Sequence, residues 1–266
     1  MLYLVIGESL KRGYLNGVNS QLPGAALTVQ DVSVVYDGQA ALHHVTFEVA
    51  RGQLVGVLGP NGAGKSTLLN VITGLERPSM GSVLVYGHPP EDAKRLVAYV
   101  PQHERVNWRF PMTAYDLVMM GRCTVLGLFR RPSRLDRERV LECLERVGLT
   151  HLSKASVGTL SGGERQRAFV ARALAQEAEL VLLDEAFSGV DVGSQESLVE
   201  ILLGLRNEGK TIVLVTHDLT GLARRFDACL CLNHHVCAYG PPGVTLTPEL
   251  LRELYGAHVG LFAGGI

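Results

Sequence analysis

Residues 53–67 read Gln53-Leu54-Val55-Gly56-Val57-Leu58-Gly59-Pro60-Asn61-Gly62-Ala63-Gly64-Lys65-Ser66-Thr67, an apolar run that passes through a glycine-rich loop into helix-forming sequence. Gly59, Gly64, Lys65 and Ser66 satisfy G-x-x-x-x-G-K-[ST], placed after a strand and at a helix N-terminus, where the chemistry needs it. Glycines let the backbone fold tightly enough for its N–H groups to converge on phosphate oxygens, and the helix dipole adds positive potential at the same point. The whole loop, Gly59, Pro60, Asn61, Gly62, Ala63, Gly64, Lys65, Ser66 and Thr67, is therefore a candidate cradle for the phosphates of ATP. Lys65 would reach the β and γ phosphates, and the Ser66 hydroxyl would ligate Mg²⁺.

Two further β-type segments, Leu27 to Tyr36 and Ala41 to Ala50, precede this unit, and a helix is expected from the loop to about Gly74. From Met112 to Leu160 the pattern is mostly helical. Thr113 and Asp116 are spaced as a capping box, and a second helix over about Leu135 to Val147 places Val140, Leu144 and Val147 on one face before Gly148. Strand and helix alternation resumes at Leu180 to Leu183 and Thr211 to Val215. Ser194 reads as the N-cap of a helix carrying Leu198, Ile201, Leu202 and Leu205 and ending at Gly209. Continuous apolar runs of this kind suit parallel strands buried on both faces. The expected fold class is α/β, with residues 1–26 an extension, 27–245 the main domain with a helical lobe over about 103–160, and 246–266 a C-terminal helix and tail.

Across 266 residues, 25 Lys+Arg stand against 26 Asp+Glu, which leaves no electrostatic footprint for nucleic acid. No stretch approaches the roughly 18–20 apolar residues that span a bilayer. The chain is expected to be soluble, and the apolar opening Met1 to Ile6 lacks the basic lead of a signal peptide. Five cysteines without metal-ligand spacing read as reduced, structural thiols. The pairs His43-His44 and His234-His235 place neighbouring side chains on different faces, a poor arrangement for one metal ion.

Leu180-Val181-Leu182-Leu183-Asp184-Glu185 is an apolar strand ending in two carboxylates. A strand end of that kind is a costly place for two negative charges unless a cation and reacting groups require them. Asp184 would hold Mg²⁺, and Glu185 would polarise the water that attacks the γ-phosphate. His217, after the strand Thr211 to Val215, would lie on the same sheet edge and hydrogen-bond that phosphate.

Leu160-Ser161-Gly162-Gly163-Glu164-Arg165-Gln166-Arg167 opens a further helix, and its small residues make a second anion site like the first. With the phosphate loop, acidic pair and histidine in this order, the chain resembles the ATP-binding-cassette family from about Leu27 to Gly240. The resemblance implies a P-loop NTPase (RecA-like) core with an N-terminal antiparallel β subdomain and an inserted helical subdomain. It also implies that Tyr36 stacks on adenine and that Gln102 senses Mg²⁺ and the attacking water. Ser188 to Asp191 would join two ATP sites, and Ser161 with Gly162, Gly163 and Glu164 would contact ATP held by a second, similar subunit. Glu164 stands where the family usually has Gln, and Gly189-Val190 where many members have Ala-Leu.

Within the family it resembles, the absence of the sustained heptads of repair and chromosome ATPases between Thr67 and Ser161, and of the second cassette of translation-factor-like members, implies a peripheral transporter subunit at the cytoplasmic face of the membrane. Val100-Pro101-Gln102, Val106-Asn107-Trp108-Arg109-Phe110-Pro111, Val118-Met119-Met120-Gly121-Arg122 and Phe187-Ser188-Gly189-Val190-Asp191 look like the subgroup that imports manganese, zinc or iron. Its partners would be a second ATPase subunit, multi-spanning permease subunits and, through them, an extracytoplasmic metal-binding protein. An iron-chelate importer and a regulatory ATPase acting on a soluble partner stay open on these residues. By physics alone, Trp108, Phe110 and the two methionines fit a core as well as an interface.

Overall fold

A computed structural model describes residues 24–102, 110–127, 130–187, 191–216 and 225–255. Strands β3 (Leu54–Leu58), β6 (Leu180–Asp184) and β7 (Thr211–Val215) are buried at every residue, as continuous apolar sequence requires. With β5 (Val97–Val100), β8 (Ala228–Asn233) and β9 (His235–Gly240) they form a six-stranded sheet of order β5-β6-β7-β3-β8-β9. All neighbours are parallel except the β8–β9 pair. A separate three-stranded antiparallel sheet has the order β2-β1-β4, from β1 (Ala25–Tyr36), β2 (Gln39–Ala50) and β4 (Met80–Val85).

Period-two alternation sends the faces of the parallel sheet into two cores. Val55, Val57, Leu180, Leu182, Val213 and Val215 share one core with the antiparallel sheet and with helix α1 (Lys65–Thr73), which lends Leu68, Leu69 and Ile72. Leu58, Val100, Val181, Leu183, Ile212 and Leu214 face the other. That second core is completed by α2 (Ala114–Leu126), α3 (Arg134–Arg146), α4 (Gly162–Ala175), α5 (Val192–Asn207) and α7 (Pro248–Tyr255), which follows the short α6 (Pro242–Thr245).

Local signals set the helix ends. Thr113 and Asp116 close the expected capping box on α2, and Ser133 and Asp136 close another on α3. Val140, Leu144 and Val147 are buried together, and Gly148 turns the chain out at φ 71°. Gly121 lets α2 lie against α4, because a Cβ there would strike the carbonyl oxygen of Arg172. One boundary differs from the sequence reading. Helix α5 is capped by Asp191, whose carboxylate accepts from the Ser194 N–H at 3.0 Å, so Ser194 lies inside the first turn. A charged acceptor holds the free N–H groups more firmly than a hydroxyl, so the helix starts three residues earlier.

Arg139 of α3 pairs with Glu177, just past α4, Arg122 of α2 with Asp136 and Glu177, and Arg146 of α3 with Glu208 at the end of α5, tying the helices to one another. No helix among the described residues is long and apolar enough to cross a membrane. All five cysteines are free thiols, with Cys143, Cys229 and Cys231 buried.

Candidate active site

The site is built where β3, β5, β6 and β7 end on the same sheet edge. Beyond Leu58 the backbone turns at Gly59 (φ 157°), where a Cβ would run into the carbonyl oxygen of Leu232 on β8. At Gly64 (φ 92°) a Cβ would meet the carbonyl oxygen of Ala41 and lie 2.7 Å from Leu42 Cδ2. Only glycine satisfies both the left-handed backbone and the close approach. The loop is clasped from outside as well: Ala63 O accepts the His234 N–H at 2.9 Å, and His234 O accepts the His43 N–H at 2.7 Å.

Lys65 is 6% exposed, and its ammonium donates to the carbonyl oxygens of Gly59 and Pro60 at 2.8 Å each. Burial lowers its pKa, opposed by the carboxylates of Glu185 and Asp184. Asp184, 1% exposed at the end of β6, receives the Ser66 hydroxyl on Oδ1 at 3.4 Å and the Tyr99 hydroxyl on Oδ2 at 3.1 Å. The next residue, Glu185, has φ 50°, and its N–H donates to Val215 O at 3.1 Å. A non-glycine residue in that region costs on the order of 1–2 kcal/mol. The turn brings its carboxylate to Gln102, whose Nε2 donates to Glu185 Oε2 at 2.8 Å.

Thus Lys65, Ser66, Asp184, Glu185 and Gln102, singled out in sequence up to 120 residues apart, converge on one sheet edge. Ser66 and Asp184 form a hard, all-oxygen donor set, which fits Mg²⁺. A carboxylate one residue away, fixed by an amide, can take a proton from a water.

Tyr36 ends β1 in an exposed position, its hydroxyl donating to Glu76 at 3.0 Å. Burial first and the Glu76 carboxylate second raise its pKa, against a hydrogen bond with Thr67 of α1. Its ring therefore stands beside the helix that follows the loop. Ser161 caps α4 in a closed box: its N–H donates to Glu164 Oε2 at 2.7 Å and its hydroxyl accepts from the Glu164 N–H at 3.3 Å. The Ser161 backbone and side-chain bonds hold Glu164 below the ordinary carboxylate range. Gly163 is buried in the first turn, and Arg165 braces that end from inside through the carbonyls of Val157 and Gly158. The unusual Glu164 is thus the better partner for its own helix end.

His217 and Ser188 to Val190 lie outside the described residues, as do Val106 to Arg109 with Trp108. The methionine pair splits: Met119 packs on the core, whereas Met120, 48% exposed, and Phe110, 58% exposed, face outward. Sequence reasoning missed Tyr99, although its place three residues before Gln102 on a strand was a usable signal. It also missed the clasp by Ala41 and His234, which no local pattern announces.

The sequence model described as ABC transporter matches residues 42–188, more than half of the chain. The chain belongs to the ABC transporter family. It is 43% identical over 235 residues to the manganese transport system ATP-binding protein MntB of Halalkalibacterium halodurans, across 88% of this chain and 94% of that one. To the zinc transport system ATP-binding protein TroB of Treponema pallidum it is 40% identical, across 88% of each. The dimeric structure of a bacterial ABC transporter cassette superposes with a TM-score of 0.72 at 28% identity, covering 81% of this chain and 98% of that one. As an ABC ATPase with the P-loop NTPase fold, the chain binds nucleotide and hydrolyses ATP.

Proposed function

We propose that this ABC ATPase drives import of a divalent transition-metal ion, manganese, zinc or iron, through separate membrane subunits. The observation that carries the catalytic half is the meeting of Ser66 with Asp184, and of Gln102 with Glu185, beside Lys65. The cargo is supported by the manganese and zinc systems to which the similar chains belong.

In this reading the backbone amides of the loop from Gly59 to Thr67 hold the ATP phosphates, Lys65 exchanges its two carbonyl partners for β and γ oxygens, and Tyr36 covers adenine. Ser66, Asp184 and Gln102 would hold Mg²⁺, which would neutralise charge on the phosphate oxygens. Glu185 accepts a proton from the water whose oxygen bonds to the γ-phosphorus, while the bond to the ADP oxygen breaks. Gln102 keeps the Glu185 carboxylate turned toward that water, and His217 bonds the γ-phosphate.

A second copy completes the site. Its Ser161, Gly162, Gly163 and Glu164 helix tip faces the γ-phosphate, and Asp191 lies at the join. Exposed Phe110 and Met120 suit a docking face for multi-spanning permease subunits, which would place the chain at the cytoplasmic face of a membrane. An extracytoplasmic metal-binding protein would deliver the ion to those subunits. The test is ATP-dependent uptake of Mn²⁺, Zn²⁺ and Fe²⁺ into vesicles holding the whole complex. Uptake of one of them, abolished by Glu185→Gln, is expected; uptake of none, with a chelated iron carried instead, would refute the cargo.

A further inference from the structure

Tyr99 donates to the acidic pair, and the reading above leaves it without a task. Strand β5 runs parallel to β6 with Tyr99 opposite Leu182 and Val100 opposite Leu183. Side chains two residues apart share a face. Tyr99 therefore stands on the side of Leu182 and Asp184, the side that also carries α1 and its Ser66, and its partly buried ring packs on that core. A tyrosine is long enough to reach two residues along the neighbouring strand, and its hydroxyl donates to Asp184 Oδ2 at 3.1 Å. The other carboxylate oxygen, Oδ1, is left for Ser66.

The Tyr99 backbone is held from the opposite face. Arg172 of α4 donates from Nη2 to the Tyr99 carbonyl at 2.7 Å, with its guanidinium 4.8 Å from the Phe169 ring centroid. Arg172 lies three turns along the helix that opens at Ser161. Three residues beyond Tyr99, Gln102 bonds Glu185. The end of β5 and the residues just after it thus touch both carboxylates, and the strand is anchored to the Ser161 helix.

We propose that Tyr99 is a positioning residue for the hydrolytic centre. Its hydroxyl fixes the rotation of the Asp184 carboxylate so that Oδ1 faces Ser66 and the cation site, and its carbonyl ties that setting to the Ser161 helix through Arg172. The assignment rests on the Mg²⁺ and ATP site described above. A phenol that merely filled space would matter to folding alone. One that orients a cation ligand matters to the difference that Mg²⁺ makes.

The experiment measures affinity of the full-length chain for a fluorescent, non-hydrolysable ATP analogue with excess Mg²⁺ and with EDTA, in wild type, Tyr99→Phe, Asp184→Asn and the double variant. Tyr99→Phe removes one oxygen and keeps the ring. The affinity in EDTA should stay within about twofold, while the gain on adding Mg²⁺ falls by about tenfold, the lower end of the scale of a hydrogen bond to a charged group. In the double variant the Mg²⁺ gain should fall no further than in Asp184→Asn, because both changes act through one carboxylate. An equal gain in Tyr99→Phe and wild type would overturn the assignment, as would equal losses with and without Mg²⁺. A wild-type chain that binds the analogue no better with Mg²⁺ would overturn the cation site itself.

Discussion

Replacing Gly64 by alanine tests whether the tightness of the phosphate loop is built by its surroundings or by the loop alone. At φ 92° an alanine sits in left-handed backbone, which costs about 1 kcal/mol. Its Cβ would also collide with the Ala41 carbonyl oxygen and press on Leu42 Cδ2 at 2.7 Å. Ala41 is part of β2, paired to β1, so it has little room to retreat, and overpacking of this kind adds roughly 1–3 kcal/mol. The sum is about 2–4 kcal/mol of lost stability. The strain falls next to Lys65, whose ammonium depends on the loop's own carbonyls, so relaxation would displace it from the phosphate path. A shift of about 1 Å there costs on the order of 10²-fold in turnover. Urea denaturation followed by circular dichroism gives the first quantity, and a phosphate-release assay at saturating ATP gives the second. A Gly64→Ala chain within about 0.5 kcal/mol of wild type and equally active would refute the steric argument.

Glu185→Gln keeps an oxygen to accept from Gln102 but no base, so ATP binding should persist while turnover falls at least about 10²-fold in a single-turnover assay. Hydrolysis at the wild-type rate would remove Glu185 from that role. Asp136 has its pKa lowered chiefly by the Ser133 side-chain hydrogen bond, so folding favours its ionised form. Its contribution is therefore complete above the unfolded carboxylate value of about 4 and disappears as pH falls through the lower folded value. The difference in melting temperature between wild type and Asp136→Asn should shrink as pH drops from about 5 to 3, and parallel curves across that range would refute the assignment.

Strands β3, β6 and β7 were legible because burial on both faces leaves an uninterrupted apolar run. The loop and the box at Thr113 were legible because their chemistry is local. Strand β4 was not, since only Val83 and Val85 of its six residues are buried, and its place is fixed by bonding to β1 far upstream. Strand β5 is four residues long, too short for a period to declare itself. At 191–194 two good cap formers compete three residues apart, with Gly193 between them weakening the helix pattern, and the carboxylate wins. The acidic pair was readable as chemistry. The rotation of Asp184 by Tyr99 was not, because it depends on the pairing register of two strands.

The order of strands has a consequence for how the molecule comes into being. Both neighbours of β3, β7 and β8, are encoded well over a hundred residues downstream, and the Leu54 N–H bonds the Asp227 carboxylate across 173 positions. Gly59 leans on Leu232, later still. Until the stretch that carries β7 and β8 has been synthesised, β3 has two bare edges and nothing to brace the bend after it. The part of the molecule that emerges early is among the last to mature, and until then it is open to chaperones or to misassociation with other nascent chains.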